Sequence, residues 1–410
     1  MADLHIDRDR LVDWASRAIG TPSFTGSEQE MAELVAQTFA DMGLQVQWQQ
    51  VEDGRANVLG TRPGAGGGPS LMFNGHMDTS YSGREAWLAH VPGFQPRAFV
   101  EDGRLYGLGV SNMKGALACY VEAVRALDDA GARLRGDVLV AAVCGEIEKA
   151  QWADAQGAEF RGYAAGTRHL VTHGGVADMC ILGEPTESKV VLGHFGSLWV
   201  RISTQGHFIH TAFSEGKRDL NSILRMREVL DAVLEWIPTW EDDPANAYRG
   251  AKAIVNVGGI EGGFGWRVSR TPHRTDLFLD VRVPPTKQMS TARNQVLEVV
   301  RDLQSRFPEY GVEGEIYVTA PGAEIAEDHP LVGALDRAHA EVFGAPPERD
   351  VTRWFSDASA LTRYGVPTVN YGTSSGLLDT VKGENLEIEG LVKTAEVYAR
   401  TAMDVCGVVG

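Results

Sequence analysis

Four cysteines in 410 residues, Cys119, Cys144, Cys180 and Cys406, lie far apart and form no CxxC pair. That scarcity leaves out a disulfide framework and a cysteine-built zinc site, and points to reduced core thiols in a cytoplasmic protein. No apolar run approaches the length of a membrane span. The first residues, MADLHIDRDRLVDW, are charged and amphipathic, unlike a secretory signal. Basic excess is missing too: the formal net charge is −17, which argues against nucleic acid or an anionic membrane surface as a partner. The glycine-rich stretch GAGGGP (64–69) lacks a following GK[ST], so it reads as a flexible loop and not as a phosphate cradle. What is present is ordinary for a globular protein, 43% hydrophobic and 23% charged residues, in a chain long enough that two domains are expected.

Helices and strands alternate along the first half. EQEMAELVAQTFADMG carries apolar residues at helical spacing and stops on Gly43. LQVQWQQV alternates as a strand, and SLMFNGH and DVLVAAVCGE are short apolar runs of the kind buried in an α/β sheet. After residue 190 the style changes. VVLGHFGSLWVRISTQG reads as one alternating strand, followed by the amphipathic helix DLNSILRMREVLDAVLEWI, the strands AIVNVGGIEGG and TDLFLDVRVPP, and the helix TARNQVLEVVRDLQSRF. With a last strand, that order is the split βαβ pattern of a ferredoxin-like domain. The pattern predicts an α/β domain built from residues 1–191 and 319–410, interrupted by a ferredoxin-like insert at 192–318.

Polar residues capable of chemistry collect just past the buried strands, where open α/β sheets hold their sites. FNGHMDTS brings His76 and Asp78, two apart on an extended segment and so on one face. One ring nitrogen of such a histidine can hold a metal while a carboxylate orients the ring. VAAVCGEIEK delivers Glu146 and Glu148, and CILGEPT delivers Glu184. The turn GLGVSNMKG ends on Asn112, a neutral amide at a position where such turns often carry an acid facing a metal. Each signal alone suits a structural histidine or a solvated strand end; three strand ends together point to a metal.

The ordered set GHMDT, GLGVSNMKG, CGEIEK, ILGEPT, GHFIHTAFS and FSDASAL resembles the M20 metallopeptidase family over nearly the whole chain. The resemblance implies a zinc-peptidase-like α/β domain, an inserted ferredoxin-like domain that forms a homodimer, and hydrolysis by a metal-activated water. Carried over residue by residue, it makes His76 and Glu184 metal ligands and Asp78 the acid that orients His76. Asn112 stands where the family has an aspartate bridging two metals. The family's Asp-Glu-Glu-x-Gly appears as Cys144-Gly145-Glu146-Ile147-Glu148. Aligned by the isoleucine, Glu146 is a ligand and Gly145 replaces the general base; shifted by one, Glu146 is the base and Ile147 replaces the ligand. Near the end, Glu384 is present but the family's ligand histidine is Thr380.

These departures imply one divalent cation, Zn²⁺ or Mn²⁺, held by His76, Glu184, Asn112 and Glu146. An amide bridges two dications poorly because it brings no charge to offset their repulsion, although its oxygen still ligates one hard cation. Glu146 or Glu148 is then the candidate base, and His210 the residue that polarises the oxyanion in a partner subunit's site. Arg267, Arg353, Trp354 and Asn221 are candidate substrate-binding residues; arginine suits a carboxylate. The function read from this is hydrolysis of an amide C–N bond in a small carboxylate-bearing substrate such as an N-acyl amino acid. Two alternatives stand beside it: an aminohydrolase of an aromatic amino acid-type substrate such as 5-nitroanthranilate, and a degenerate binding protein.

Overall fold

A computed structural model describes residues 4–373 and 382–409. The chain forms two compact units, one of residues 1–193, 324–350 and 356–410, the other of His194–Ala323 and Val351–Phe355. The second unit therefore takes in a short return segment that the sequence pattern left with the first.

The first unit is a mixed sheet covered by helices. At its centre the strands Val138–Val143, Leu71–His76 and Met179–Leu182 lie side by side and parallel, with Thr368–Asn370 parallel to the last of them. Every residue of the first two is buried, as expected of strands covered on both faces. The hairpin Gln45–Glu52 and Arg55–Arg62 extends one edge antiparallel. Helix Gly115–Asp129, apolar nearly all round, packs between Arg8–Gly20 and Ile388–Cys406. A single core joins these elements, including Phe73, Leu117, Tyr120, Val140, Ile181 and Leu391; each such aliphatic side chain contributes about 1.5–3 kcal/mol by leaving water.

The second unit is a four-stranded antiparallel sheet in the order Val255–Gly262, Arg274–Val283, Gly196–Gln205, Glu313–Ala320. Its two helices, Ser222–Glu241 and Met289–Arg306, bury Met226, Val229 and Val233, and Ala292, Val296, Val300 and Leu303, spacings that form one helical stripe. These meet Leu198, Val200, Ile202, Leu277, Leu279 and Val281 in a separate core. The ferredoxin-like pattern is realised.

One expectation changes. The run 190–206 is two strands, Val190–His194 in the large sheet and Gly196–Gln205 in the small one. Alternation continues through Phe195, so periodicity alone does not reveal the change of sheet. Gly196 marks it, since a Cβ there would stand 2.3 Å from the Ala320 carbonyl oxygen. Among the described residues no helix is long and apolar enough to cross a membrane, and all four cysteines are buried and unpaired.

Candidate metal centre

Because the three central strands are parallel neighbours, their C-terminal ends share one edge, and each hands a side chain to the same place. His76 closes the first strand, Glu146 lies three residues beyond the second, and Glu184 two beyond the third. All three are buried, and one ligand atom from each lies within 4.8 Å of the others. His76 Nε2 is 3.7 Å from Glu146 Oε2 and 3.9 Å from Glu184 Oε1. Asn112 joins them from the turn at 107–115, its Oδ1 2.7 Å from the same Nε2.

The supporting contacts set the histidine tautomer. His76 Nδ1 donates to the backbone carbonyl of Asp78 at 2.9 Å, leaving Nε2 to offer its lone pair. Two acceptors 2.7 Å apart, Nε2 and the Asn112 carbonyl, call for a proton or a cation between them. The Asp78 carboxylate lies 3.5 Å from Nδ1, and most of its bonding goes elsewhere. It accepts from Thr25 Oγ1 (2.9 Å) and from the N–H groups of Glu146 (3.0 Å) and Ile147 (3.3 Å). Asp78 thus fixes the ring with its carbonyl and the 146–147 turn with its side chain.

Electrostatics show what the pocket lacks. Burial, reinforced by Glu184, pushes Glu146 well above the usual carboxylate range. Burial likewise raises Glu184 to about 7 against the pull of His76. Burial opposes charge on His76, yet Asp78, Glu146 and Glu184 outweigh it and raise its pKa well above normal. Asp78 resists its own burial and is held down to about 2 by His76 and its N–H donors. Without a cation the group must take up protons. A cation fits: Glu184 Oε1 is buried and accepts no hydrogen bond, and mixed N/O donors without thiolate suit a hard or borderline ion.

The alternative alignments of residues 144–148 meet this geometry differently. Glu146 sits in the ligand group, as alignment by the isoleucine requires. Gly145 has φ +66°, and a Cβ there would stand 2.4 Å from Arg55 Nη2 and 2.9 Å from the Arg161 carbonyl oxygen. Arg55 is fully buried, paired with Glu28 through Nε (2.8 Å) and Nη2 (2.6 Å) and with Glu52 through Nη1 (2.6 Å). The space a side chain at position 145 would enter is filled by a guanidinium. Glu148, half-buried on the same loop, adds its charge to those raising Glu184.

The remaining candidates belong to the second unit. His210 Nδ1 accepts from the Ala212 N–H at 3.1 Å, so the neutral ring carries its proton on Nε2. Asn221 Oδ1 caps helix Ser222–Glu241 by accepting from Ile223 N–H. Arg267 is exposed, Trp354 half-buried, and Arg353 donates from Nε to the Lys252 carbonyl at 2.7 Å. Thr380 lies outside the described residues.

Sequence reading assigned no role to two buried acids in this region. Asp357 precedes a short helix without capping it; its Oδ2 accepts from Thr167 Oγ1 at 2.7 Å and its Oδ1 has no partner. Burial raises it to about 6, and its charge reaches Glu146 and Glu184. Glu384 accepts from the Ser111 N–H at 3.1 Å. The FSDASAL motif was the available signal for Asp357; nothing local marks Glu384's bonding.

Known proteins agree with this architecture. The profile of peptidase family M20/M25/M40 matches residues 72–404. An acetylornithine deacetylase of Vibrio parahaemolyticus serotype O3:K6 is 28% identical over 333 residues, covering 80% of each chain. A succinyl-diaminopimelate desuccinylase of Alkalilimnicola ehrlichii is 26% identical over 399 residues, 94% of this chain and 96% of its own. The crystal structure of aminopeptidase PepT from Bacillus cereus ATCC 10987 superposes with a TM-score of 0.74 at 21% identity, over 98% of this chain and 99% of that one. The chain belongs to peptidase family M20/M25/M40 and is a metallohydrolase of carbon–nitrogen bonds.

Proposed function

We propose that this enzyme hydrolyses an amide C–N bond in a small carboxylate-bearing substrate such as an N-acyl amino acid, using one Zn²⁺ or Mn²⁺ ion. The carrying observation is the buried His76–Glu146–Glu184 group with the Asn112 oxygen against it. The curated relatives named for deacetylation and desuccinylation support an acyl group as the part removed. A divalent cation held by these four residues would supply Lewis acidity, polarising a carbonyl oxygen and acidifying a water.

The chain's own groups do the rest. Asp78 keeps the His76 ring in the tautomer that bares Nε2. With position 145 filled by Arg55, the proton leaving the attacking water goes to Glu148, which returns it to the departing amine as the C–N bond breaks. The Nε2–H of His210 donates to the carbonyl oxygen as negative charge builds there; the family resemblance supports its coming from a second copy in a homodimer. Arg267 and Arg353 are assigned to the substrate carboxylate, with Trp354 and Asn221 beside them. Free thiols and an acidic surface suit a cytoplasmic enzyme.

The test is elemental analysis of protein purified without chelator, joined to a panel of N-acyl amino acids scored for released amine and carboxylate. About one bound metal per chain with turnover of at least one acyl substrate supports the reading. A metal-free chain, or release of ammonia instead of an amino acid, overturns it.

A further inference from the structure

The turn that carries the Asn112 oxygen to the cation group is contacted by a group from the far end of the chain. Glu384 is buried, its side chain turned into the turn 107–115. Its Oε2 accepts from the Ser111 N–H at 3.1 Å; burial raises its pKa to about 7, against the N–H groups of Gly109, Ser111 and Asn112, which favour its charged form. The backbone around it closes the same clamp: Gly107 N–H donates to the Glu384 carbonyl, Ser111 Oγ to the Asn385 carbonyl, and Asn385 pairs with Tyr106. Lys114 adds a positive charge nearby, its Nζ tied to the carbonyls of Ala18 and Thr21 at 2.8 and 2.7 Å.

We infer that Glu384 is a positioning residue of the cation site, its carboxylate gathering the N–H groups of Gly109, Ser111 and Asn112 so that the Asn112 carbonyl faces His76 Nε2. The inference rests on the proposed reading that Asn112 helps hold a cation. Converging N–H donors need an acceptor with several lone pairs, which a carboxylate provides. Glutamine at 384 keeps the shape but offers one acceptor oxygen in place of two and no charge, so those N–H groups are held less firmly. Occupied in this way, the Glu384 carboxylate works at the backbone and takes no part in ligation.

The test titrates Mn²⁺ into the full chain by calorimetry, with Glu384→Gln, Asn112→Ala and the double variant in parallel. Circular dichroism checks that each is folded. Losing an outer partner of a ligand typically costs tenfold to a hundredfold in affinity, so Glu384→Gln is expected to weaken Mn²⁺ binding by about that factor. In the Asn112→Ala background the same change should have no further effect, because the two residues act in series. Amide exchange at 109–112 should quicken in Glu384→Gln alone. Unchanged affinity in Glu384→Gln, or losses that multiply in the double variant, overturn the inference and leave the cation site standing. A wild-type chain that binds no Mn²⁺ or Zn²⁺ overturns the underlying reading and this one together.

Discussion

On the resemblance drawn from the sequence, Asn112 and, in one of two alignments, Gly145 stand where a carboxylate is expected, and the fold treats the two positions in opposite ways. At Asn112 a neutral amide, nearly the shape of an aspartate, places its oxygen 2.7 Å from His76 Nε2 without bringing a charge. At Gly145 there is no side chain, the backbone takes a left-handed φ, and Arg55 occupies the space a Cβ would enter. The first position stays open, and the second is closed. An amide oxygen leaves ligation possible, whereas a position filled by a buried ion pair has no room for an acid.

The largest effects should come from the ligands common to both halves of the comparison. His76→Ala or Glu184→Ala should lower metal affinity by more than about a hundredfold, beyond the loss typical of an outer partner, and abolish turnover, as read by elemental analysis and a deacylation assay. Metal retained in both variants would dissolve the site and the comparison with it. Next, Gly145→Glu should destabilise the fold by roughly 2–5 kcal/mol, combining a strained φ with overpacking against Arg55, and should gain no activity. A stable, more active Gly145→Glu protein would show that the position is still open.

Acid would blur the comparison unless loss of fold is separated from loss of site, and His194 allows that separation. Burial, helped by the charge of Arg282, pushes His194 down to about 4. The unfolded imidazole takes a proton near 6.5 while the folded one does not, so the stabilising contribution is complete above 6.5 and lost as pH falls towards 4. Between pH 7 and 4, wild type should lose about 3 kcal/mol more than His194→Asn, at 1.36 kcal/mol per pKa unit; equal losses by denaturant titration would remove His194 from the account. The smallest effect is expected at Asn112. Asn112→Asp restores charge without restoring room or partners for a second ion, so stoichiometry should stay near one metal per chain while affinity shifts by about tenfold or less, one missing charge being partly screened. Two tightly bound ions in that variant would mean that charge alone governed the count.

The strand-end residues were legible because each rides on a local signal: a buried apolar run ends, and the next few residues face the sheet's edge. That logic placed His76, Asp78, Glu146 and Glu184 in one neighbourhood, and alternation with helical spacing outlined the ferredoxin-like unit. Asp78 was read as orienting the ring through its carboxylate, and its backbone carbonyl proves the nearer partner. Such a detail depends on where the 146–147 turn returns, which no local pattern records. Arg55 and Glu28 escaped for the same reason. They are charged residues in unremarkable stretches, and only the fold shows them fully buried and paired. Period-two alternation also ran on through Phe195, because a strand keeps its rhythm when it changes sheets.

Arg55 reaches five acceptor contacts, on Glu28, Glu52, Ala158 and Arg161, and so ties Glu28 and the 158–161 stretch to its own hairpin around position 145. A glutamate introduced at 145 would meet an occupied space, and removing Arg55 would strand Glu28 in the interior without its counter-charge.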